Sequence, residues 1–248
     1  MYFQMKTTTN DVAEISIDGE IVSEKWWDSE TSAVDFRDSL KELGDVKSIN
    51  LSINSPGGSV FDGIAIYNML KNHPADVNVT VQGLAGSIAS VIAMSGNTLT
   101  MNTGAMLMIH NPFTGVVGNA TQLREMADTL DQIAESSVDI YNEKTGIDKD
   151  AIREVMANET WLTADEAVEL GWADQKNESP AVMQSVSDKY SDMWQHAPEF
   201  LFTQKVEETD SADEEPESKE KNINDKKMSE LTAVREYRAL LSDQLKGL

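Results

Sequence analysis

Two short segments of the sequence contain a hydroxyl and an imidazole that together can perform nucleophilic chemistry. Ser87 lies within the small-residue stretch 83–90, and His110 ends the next apolar run. Serine is a weak nucleophile at neutral pH, so covalent chemistry requires an adjacent imidazole that takes its proton. Each residue also has a structural interpretation, with Ser87 capping a buried helix and His110 satisfied in the core. Ser90, one helical turn further along, is the alternative nucleophile.

A turn that contains two glycines precedes this pair. Residues 48–53 have a strand-like pattern, residues 54–59 include Pro56, Gly57 and Gly58, and a helical pattern follows. Backbone N–H groups exposed at such a strand-to-helix turn favour negative charge. A plain tight turn is one interpretation, and a phosphate cradle is disfavoured because no Lys-Ser/Thr pair follows. Since a nucleophile and a base lie downstream, we interpret the turn as an oxyanion hole.

These three segments, with two more downstream, resemble the motifs of the Clp protease proteolytic subunit family, the ClpP-like serine peptidases. Their order and spacing agree with the family, apart from a small shortening between the serine and the histidine. The resemblance covers about residues 14–176, and its motifs lie at residues 53–58, 83–87, 108–112, 161–167 and 171–174. One motif alone is only moderately specific, whereas the ordered set is strongly so.

The resemblance implies a role for four residues of the predicted site. Ser87 would be the nucleophile and His110 the general base. Gly58 and Ile88 would donate their backbone N–H groups to the oxyanion. These roles are carried over residue by residue from the family's motifs.

The third member of the implied triad is Glu159, at the position where the family normally has an aspartate. A glutamate can hold an imidazole in the useful tautomer, because Ser-His-Glu triads occur on other folds. Asn158 or a backbone carbonyl is the alternative orienting group.

Strand-like and helix-like patterns alternate along the first half of the chain, and residues 18–20 read as a turn after the first strand. This alternation predicts an α/β fold with a largely parallel, covered sheet and chemistry near the carboxyl ends of its strands. The resemblance implies more specifically the crotonase/ClpP-like superhelix of repeated βαβ units.

Residues 119–141 have the apolar spacing of an amphipathic helix. The apolar positions are Leu123, Met126, Leu130, Ile133, Val138 and Tyr141. A core-packing helix is the simpler interpretation. The resemblance instead makes it a handle helix through which two rings of subunits meet, and so implies a homo-oligomeric ring, a heptamer or stacked heptamers.

Composition excludes several classes of protein. The formal net charge of -23 argues against binding to a phosphate backbone, and the chain has no cysteine for disulfides or thiolate metal sites. The three histidines lack metal-ligand spacing, so we expect neither a metal nor a cofactor. No apolar run approaches the length of a membrane span and no signal peptide opens the chain, so we expect a cytoplasmic protein.

Composition also divides the chain. Residues 205–221 contain eight acidic residues against three lysines and almost nothing apolar, which is typical of a disordered segment. A helical pattern returns near the end of the chain. We therefore expect an N-terminal extension or tag remnant at 1–11, a ClpP-like serine protease domain at 12–200, an acidic disordered linker at 201–227, and a C-terminal helix at 228–248 that docks a scaffold or another partner.

This architecture resembles the Clp-related head maturation (prohead) proteases of tailed bacteriophages. It implies a serine endopeptidase that processes capsid and scaffold proteins, in the host cytoplasm and inside the prohead. The alternatives are a housekeeping Clp peptidase subunit that works with an unfoldase, a crotonase-fold acyl-CoA enzyme, and an inactive structural subunit.

Overall fold

The computed structural model describes residues 3–9, 11–24, 26, 30–180, 190, 193–198 and 201–202, all of which lie in the structural unit 1–204. Their strands are β1 (Phe3–Thr9), β2 (Val12–Val22), β3 (Glu30–Ser32), β4 (Ser48–Gly58), β5 (Asp76–Gly86), β6 (Thr98–Thr103), β7 (Met106–Ile109), β8 (Thr160–Thr163) and β9 (Gln175–Pro180). Their helices are α1 (Ala33–Glu42), α2 (Val60–Lys71), α3 (Ile88–Ala93), α4 (Ala120–Thr145), α5 (Lys149–Ala157) and α6 (Ala164–Glu169).

A parallel array of strands forms the centre of the fold. The sheet follows the order β1-β2-β4-β5-β6-β9, and β2, β4, β5 and β6 pair in parallel. Ile15, Leu51, Val79 and Leu99 are aligned across these four strands, and each is at most 2% exposed. Burying one such aliphatic side chain stabilises the fold by about 1.5–3 kcal/mol. The α/β class with a largely parallel sheet, predicted from the sequence, is confirmed.

The long strand β5 changes partner along its length. Its first half pairs with β6, whereas Leu84, Ala85 and Gly86 pair in parallel with β7. On its other side, β7 pairs antiparallel with β8. The carboxyl ends of β5 and β7 therefore lie side by side, and the residues that follow them, Ser87 and His110, enter the same region.

Strand β2 corrects one expectation from the sequence. The turn predicted at residues 18–20 is wrong, because β2 continues from Val12 to Val22. Gly19 has a φ of +82°, and the β2–β4 register shifts between Asp18 and Glu20, where one residue of β2 stands opposite two residues of β4. Strand β2 continues through Gly19 without ending and reaches Ile21 beside Gly58.

The structure describes most of the first residues of the chain but not the residues after Phe202. Residues Phe3–Thr9, which the sequence analysis assigned to an extension, form β1 and pair antiparallel with β2. The predicted acidic linker and C-terminal helix lie outside the described residues, except for Leu201 and Phe202 at the start of the linker.

The long helix α4 follows the N-cap Asn119. Its last residue is Thr145, and the next residue, Gly146, is the C-cap with a φ of +73°.

Helices α2 and α3 pack closely because α2 has a glycine at the contact. A Cβ atom placed on Gly63 would collide with Cγ1 of Ile88, the first residue of α3. Close packing of this kind fixes where α3 begins relative to the sheet, and the turn that precedes α3 is fixed with it.

We expect Gly63→Ala to lower the melting temperature. Alanine is favoured over glycine in a helix by about 1 kcal/mol, but overpacking a core contact costs about 1–3 kcal/mol. Ile88 is held at the start of α3, so the collision should outweigh the helix propensity. Gly115→Ala is the matched control, because nothing lies within 4 Å of a Cβ there. A Gly63→Ala protein more stable than the wild type would contradict the close contact.

Candidate active site

Ser87 occupies a sharp turn between β5 and α3. Its φ of +53° and ψ of -126° lie in a region that residues with side chains rarely adopt. The Ser87 N–H donates to the carbonyl of Met108 on β7 at 2.9 Å, which anchors the turn to the strand that leads to His110. A strained strand-to-helix turn that presents a serine hydroxyl is the geometry of a nucleophile elbow.

The hydroxyl of Ser87 and the imidazole of His110 are in hydrogen-bonding contact. The distance between Ser87 Oγ and His110 Nε2 is 2.8 Å, so the structure brings together the two residues that the sequence singled out. Burial lowers the pKa of His110 below its ordinary value of 6.5, and the negative charge of Glu159 opposes this shift. A lowered pKa keeps the imidazole neutral at pH 7, which is the state that can accept a proton.

Glu159 is a buried carboxylate in the turn between α5 and β8. It is 7% exposed, and its φ is +45°. Its oxygens accept hydrogen bonds from the backbone N–H groups of Gln195 and His196, both at 2.8 Å, and from the Trp161 indole at 3.2 Å. Among the described residues no hydrogen bond joins Glu159 to His110, so the two interact through charge.

The alternative orienting residue, Asn158, has a different environment. It is exposed and forms the C-cap of α5, where its backbone N–H donates to Glu154. Burial and electrostatic contact with His110 both distinguish Glu159 from its neighbour. The orienting role of Glu159 stays a prediction.

The predicted oxyanion donors lie on either side of a tight glycine contact. A Cβ atom on Gly57 would lie 2.7 Å from both Ser87 Cβ and Gly86 O, and 3.1 Å from Ile88 N. Only glycine therefore fits at this position of β4, where the strand contacts the turn that contains Ser87. The Gly57 N–H donates to Ser55 Oγ at 3.1 Å and is therefore engaged.

Gly58 and Ile88 keep their predicted role as donors. Gly58 has a φ of +143° and packs against the backbone of Ile21. Ile88 is the first residue of α3, and the first N–H groups of a helix have no acceptor within the helix. Both assignments stay predictions.

The structure adds a contact that the sequence analysis missed. Three described residues that follow β9 in the chain join an apolar cluster with residues of β5 and β7. Its members are Leu84, Met106, Met108, Tyr190, Trp194 and Leu201, and Trp161, Ala197 and Phe202 pack against them. This cluster brings the Gln195 and His196 N–H groups to Glu159. The sequence signal was the aromatic content of residues 190–202, to which no role was assigned.

Ser90, the alternative nucleophile, is directed elsewhere. Its hydroxyl donates to the Ser87 carbonyl at 2.6 Å and lies 2.7 Å from the Tyr141 hydroxyl.

Within the described part of the chain, no group of three or more His, Cys, Asp or Glu residues is placed to hold a metal ion. No helix there is long and apolar enough to cross a membrane.

Fold and site together define an α/β protein in which a serine and a histidine meet at the carboxyl ends of parallel strands. A family model described as Clp protease matches residues 27–179. The chain therefore belongs to the Clp protease family.

Individual relatives agree with this result. Subunit 3 of the ATP-dependent Clp protease from Rhodococcus jostii is 36% identical over 130 residues, which cover 52% of this chain and 64% of the relative. Subunit 1 of the ATP-dependent Clp protease from Chlamydia abortus is 36% identical over 126 residues, which cover 49% of this chain and 66% of the relative. Subunit 1 from Salinibacter ruber is 32% identical over 138 residues, which cover 55% of this chain and 59% of the relative. The chain thus spans slightly less than two thirds of the length of these relatives.

Replacing Glu159 should change both the rate and the pH dependence of any reaction that uses His110 as a base. The base is active when neutral, so kcat/KM should rise with pH through the His110 pKa, with a midpoint below 6.5. Glu159→Gln removes the charge that raises this pKa, so the midpoint should move to lower pH. Loss of the negative charge that stabilises the imidazolium should also reduce kcat, by roughly 10²- to 10⁴-fold.

Asn158→Ala is the matched control, because Asn158 is adjacent but exposed. It should leave both the midpoint and kcat close to the wild-type values. A large effect of Asn158→Ala with little effect of Glu159→Gln would transfer the orienting role to Asn158.

Proposed function

We propose that this protein is a serine endopeptidase that cleaves peptide bonds through an acyl-enzyme. The observation that carries the proposal is the 2.8 Å contact between Ser87 Oγ and His110 Nε2 at a strained strand-to-helix turn. Membership of the Clp protease family supports the same chemistry.

The first half of the proposed reaction forms the acyl-enzyme. Ser87 Oγ attacks the substrate carbonyl carbon while His110 Nε2 takes the hydroxyl proton. The N–H groups of Gly58 and Ile88 stabilise the negative charge that develops on the carbonyl oxygen. The C–N bond then breaks, His110 returns the proton to the leaving amine, and an ester remains on Ser87.

The second half repeats these steps with water as the nucleophile. His110 accepts a proton from water, the resulting hydroxide attacks the ester, and the proton passes to Ser87 Oγ as the ester bond breaks. Glu159 stabilises the imidazolium that forms in each half through its negative charge. The chain's own residues thus supply a nucleophile, a base, an oxyanion site and a counter-charge.

The acyl-CoA alternative has less support. Crotonase-fold acyl-CoA enzymes use carboxylates as acids and bases, whereas both oxygens of Glu159 already accept hydrogen bonds from N–H groups. The serine–histidine contact also has no part in that chemistry.

We propose that the enzyme assembles into a ring of identical subunits and cleaves protein substrates inside it. Support comes from α4, whose N-terminal part keeps an apolar face that the described residues leave partly exposed, including Leu123 at 44%. Only Ser137, Val138 and Tyr141 of this helix are buried. A second subunit could cover the remaining face, and a heptamer or stacked heptamers would then enclose the active sites and select unfolded or threaded substrates.

Single and double substitutions of the proposed pair test the activity. Ser87→Ala and His110→Ala should each abolish cleavage of a short fluorogenic peptide, because neither hydroxyl nor imidazole acts without the other. The Ser87→Ala/His110→Ala protein should be no less active than the single variants, since residues that act as a unit give non-additive losses. Ser95→Ala, another buried serine, is the matched control and should cleave normally. Cleavage by Ser87→Ala at the wild-type rate would refute the proposal.

We propose further that the enzyme is a phage head maturation protease that processes capsid and scaffold proteins within the prohead. This narrower proposal is supported by the sequence beyond the protease domain, where an acidic segment precedes a helical pattern. The acidic segment would act as a tether and the helical pattern as a scaffold-binding element, so that the protease is packaged with a scaffold. The alternative is a housekeeping subunit that is activated by an unfoldase.

Truncation after Phe202 tests this narrower proposal. The cut keeps Leu201 and Phe202, which belong to the apolar cluster behind Glu159, so peptide cleavage and assembly should be unchanged. Co-purification with a co-expressed capsid or scaffold protein should be lost. The full-length Ser87→Ala protein is the control, since it keeps the tail and cannot cleave it. Unchanged co-purification, or loss of soluble enzyme, would contradict the assigned role of the tail.

A further inference from the structure

We infer that Ser90 and Tyr141 are positioning residues that fix the orientation of the peptide between Ser87 and Ile88. This inference rests on the proposed serine peptidase activity and adds two residues to it. Neither residue touches the reacting atoms. They act through the backbone that carries both the nucleophile and one oxyanion donor.

A chain of two buried hydroxyls ends on the Ser87 carbonyl. Ser90 Oγ donates to Ser87 O at 2.6 Å, and the Ser90 backbone N–H donates to the same oxygen at 3.0 Å. The Tyr141 hydroxyl lies 2.7 Å from Ser90 Oγ. A serine hydroxyl has a single proton. Since that proton is used on the Ser87 carbonyl, Tyr141 is the donor in its contact with Ser90.

The geometry of the peptide unit connects this carbonyl to the oxyanion site. The Ser87 C=O and the Ile88 N–H belong to one planar trans peptide, so they point in opposite directions and turn together. Fixing the carbonyl with two hydrogen bonds therefore also fixes the direction of the Ile88 N–H. A preorganised donor stabilises an oxyanion because it does not have to reorient during the reaction.

The conformation of Ser87 explains why such a restraint is needed. Its φ of +53° and ψ of -126° are unfavourable for a residue with a side chain, and such a conformation persists only when its surroundings enforce it. The hydrogen bond from Ser87 N–H to Met108 restrains one side of the residue. The bonds from Ser90 restrain the other side.

The packing and protonation of Tyr141 allow it to act as the outer donor of these two hydrogen-bonded hydroxyls. It is 2% exposed, and its ring meets the Trp172 ring edge-on with centroids 5.4 Å apart. Burial raises the pKa of the Tyr141 phenol, so the hydroxyl is protonated at neutral pH. Because Tyr141 belongs to α4, the position of this long helix is linked to the oxyanion peptide.

Steady-state kinetics on the full-length protein test the inference with two single variants, their double combination, two matched controls and the Ser87→Ala protein as the inactive reference. Tyr141→Phe removes the hydroxyl and keeps the ring against Trp172, and Ser90→Ala removes the inner hydroxyl. Tyr67→Phe and Ser95→Ala are the matched controls. Both parent residues are buried, and within the described chain Tyr67 has no hydrogen bond to α3 and the Ser95 hydroxyl has no partner.

We expect Tyr141→Phe and Ser90→Ala to lower kcat for a short fluorogenic peptide while KM stays near the wild-type value. Complete removal of an oxyanion donor lowers kcat by about 10²- to 10³-fold, so a displaced donor should lower it by roughly 10-fold or more. The Ser90→Ala/Tyr141→Phe protein should lose no more than the worse single variant, because both act through one carbonyl. Melting temperatures should fall further than those of the controls, because each substitution leaves a buried hydroxyl without its hydrogen-bond partner, but the variants should remain folded at the assay temperature.

Three results would overturn the inference, and they are distinguishable. A kcat for Tyr141→Phe and Ser90→Ala equal to that of the controls would show that the hydroxyls only satisfy each other. A rise in KM alone would indicate a substrate-binding effect instead. A wild-type rate equal to that of Ser87→Ala would refute the proposed peptidase activity itself, and any role in it for Ser90 and Tyr141 as well.

Discussion

The hydrogen bond from the Ser87 N–H to the Met108 carbonyl is the interaction on which the site depends most. It continues the pairing of β5 with β7 past the last strand residue, so that the register of two parallel strands determines the distance between the serine and the histidine. Ser87 then has to turn sharply into α3, which forces its unfavourable backbone angles. The site is therefore a consequence of strand register, and a shift of one residue would separate the hydroxyl from the imidazole.

Several features enforce this turn from different directions. Gly57 allows the end of β4 to approach Ser87 more closely than any side chain would permit, and Gly63 does the same for α2 against α3. Glu159 has two functions. Its charge acts on the imidazole, while its oxygens bind the backbone of residues 195–196. Residues 195 and 196 are thereby held beside the candidate site.

The sequence predicted the parallel α/β core, because its strands have a clear apolar alternation and its turns contain glycine. The sequence also singled out Ser87 and His110 and predicted chemistry near the carboxyl ends of the strands. It failed at residues 18–20, where Gly19 lies within a continuous strand at a register shift and not in a turn, since a glycine alone does not distinguish the two. The contact between Ser90 and Tyr141 could not be predicted from the sequence, because the two residues are 51 positions apart and their pairing depends on tertiary packing.

Covalent labelling tests the central claim that the register of β5 and β7 creates an activated serine. The protein is treated with a fluorophosphonate, its intact mass is measured, and the adduct is located by peptide mapping. The account predicts one adduct per chain, on Ser87, and none on the Ser87→Ala protein. Equal labelling of the Ser87→Ala protein, or an adduct on Ser90 or another serine of the wild type, would contradict it.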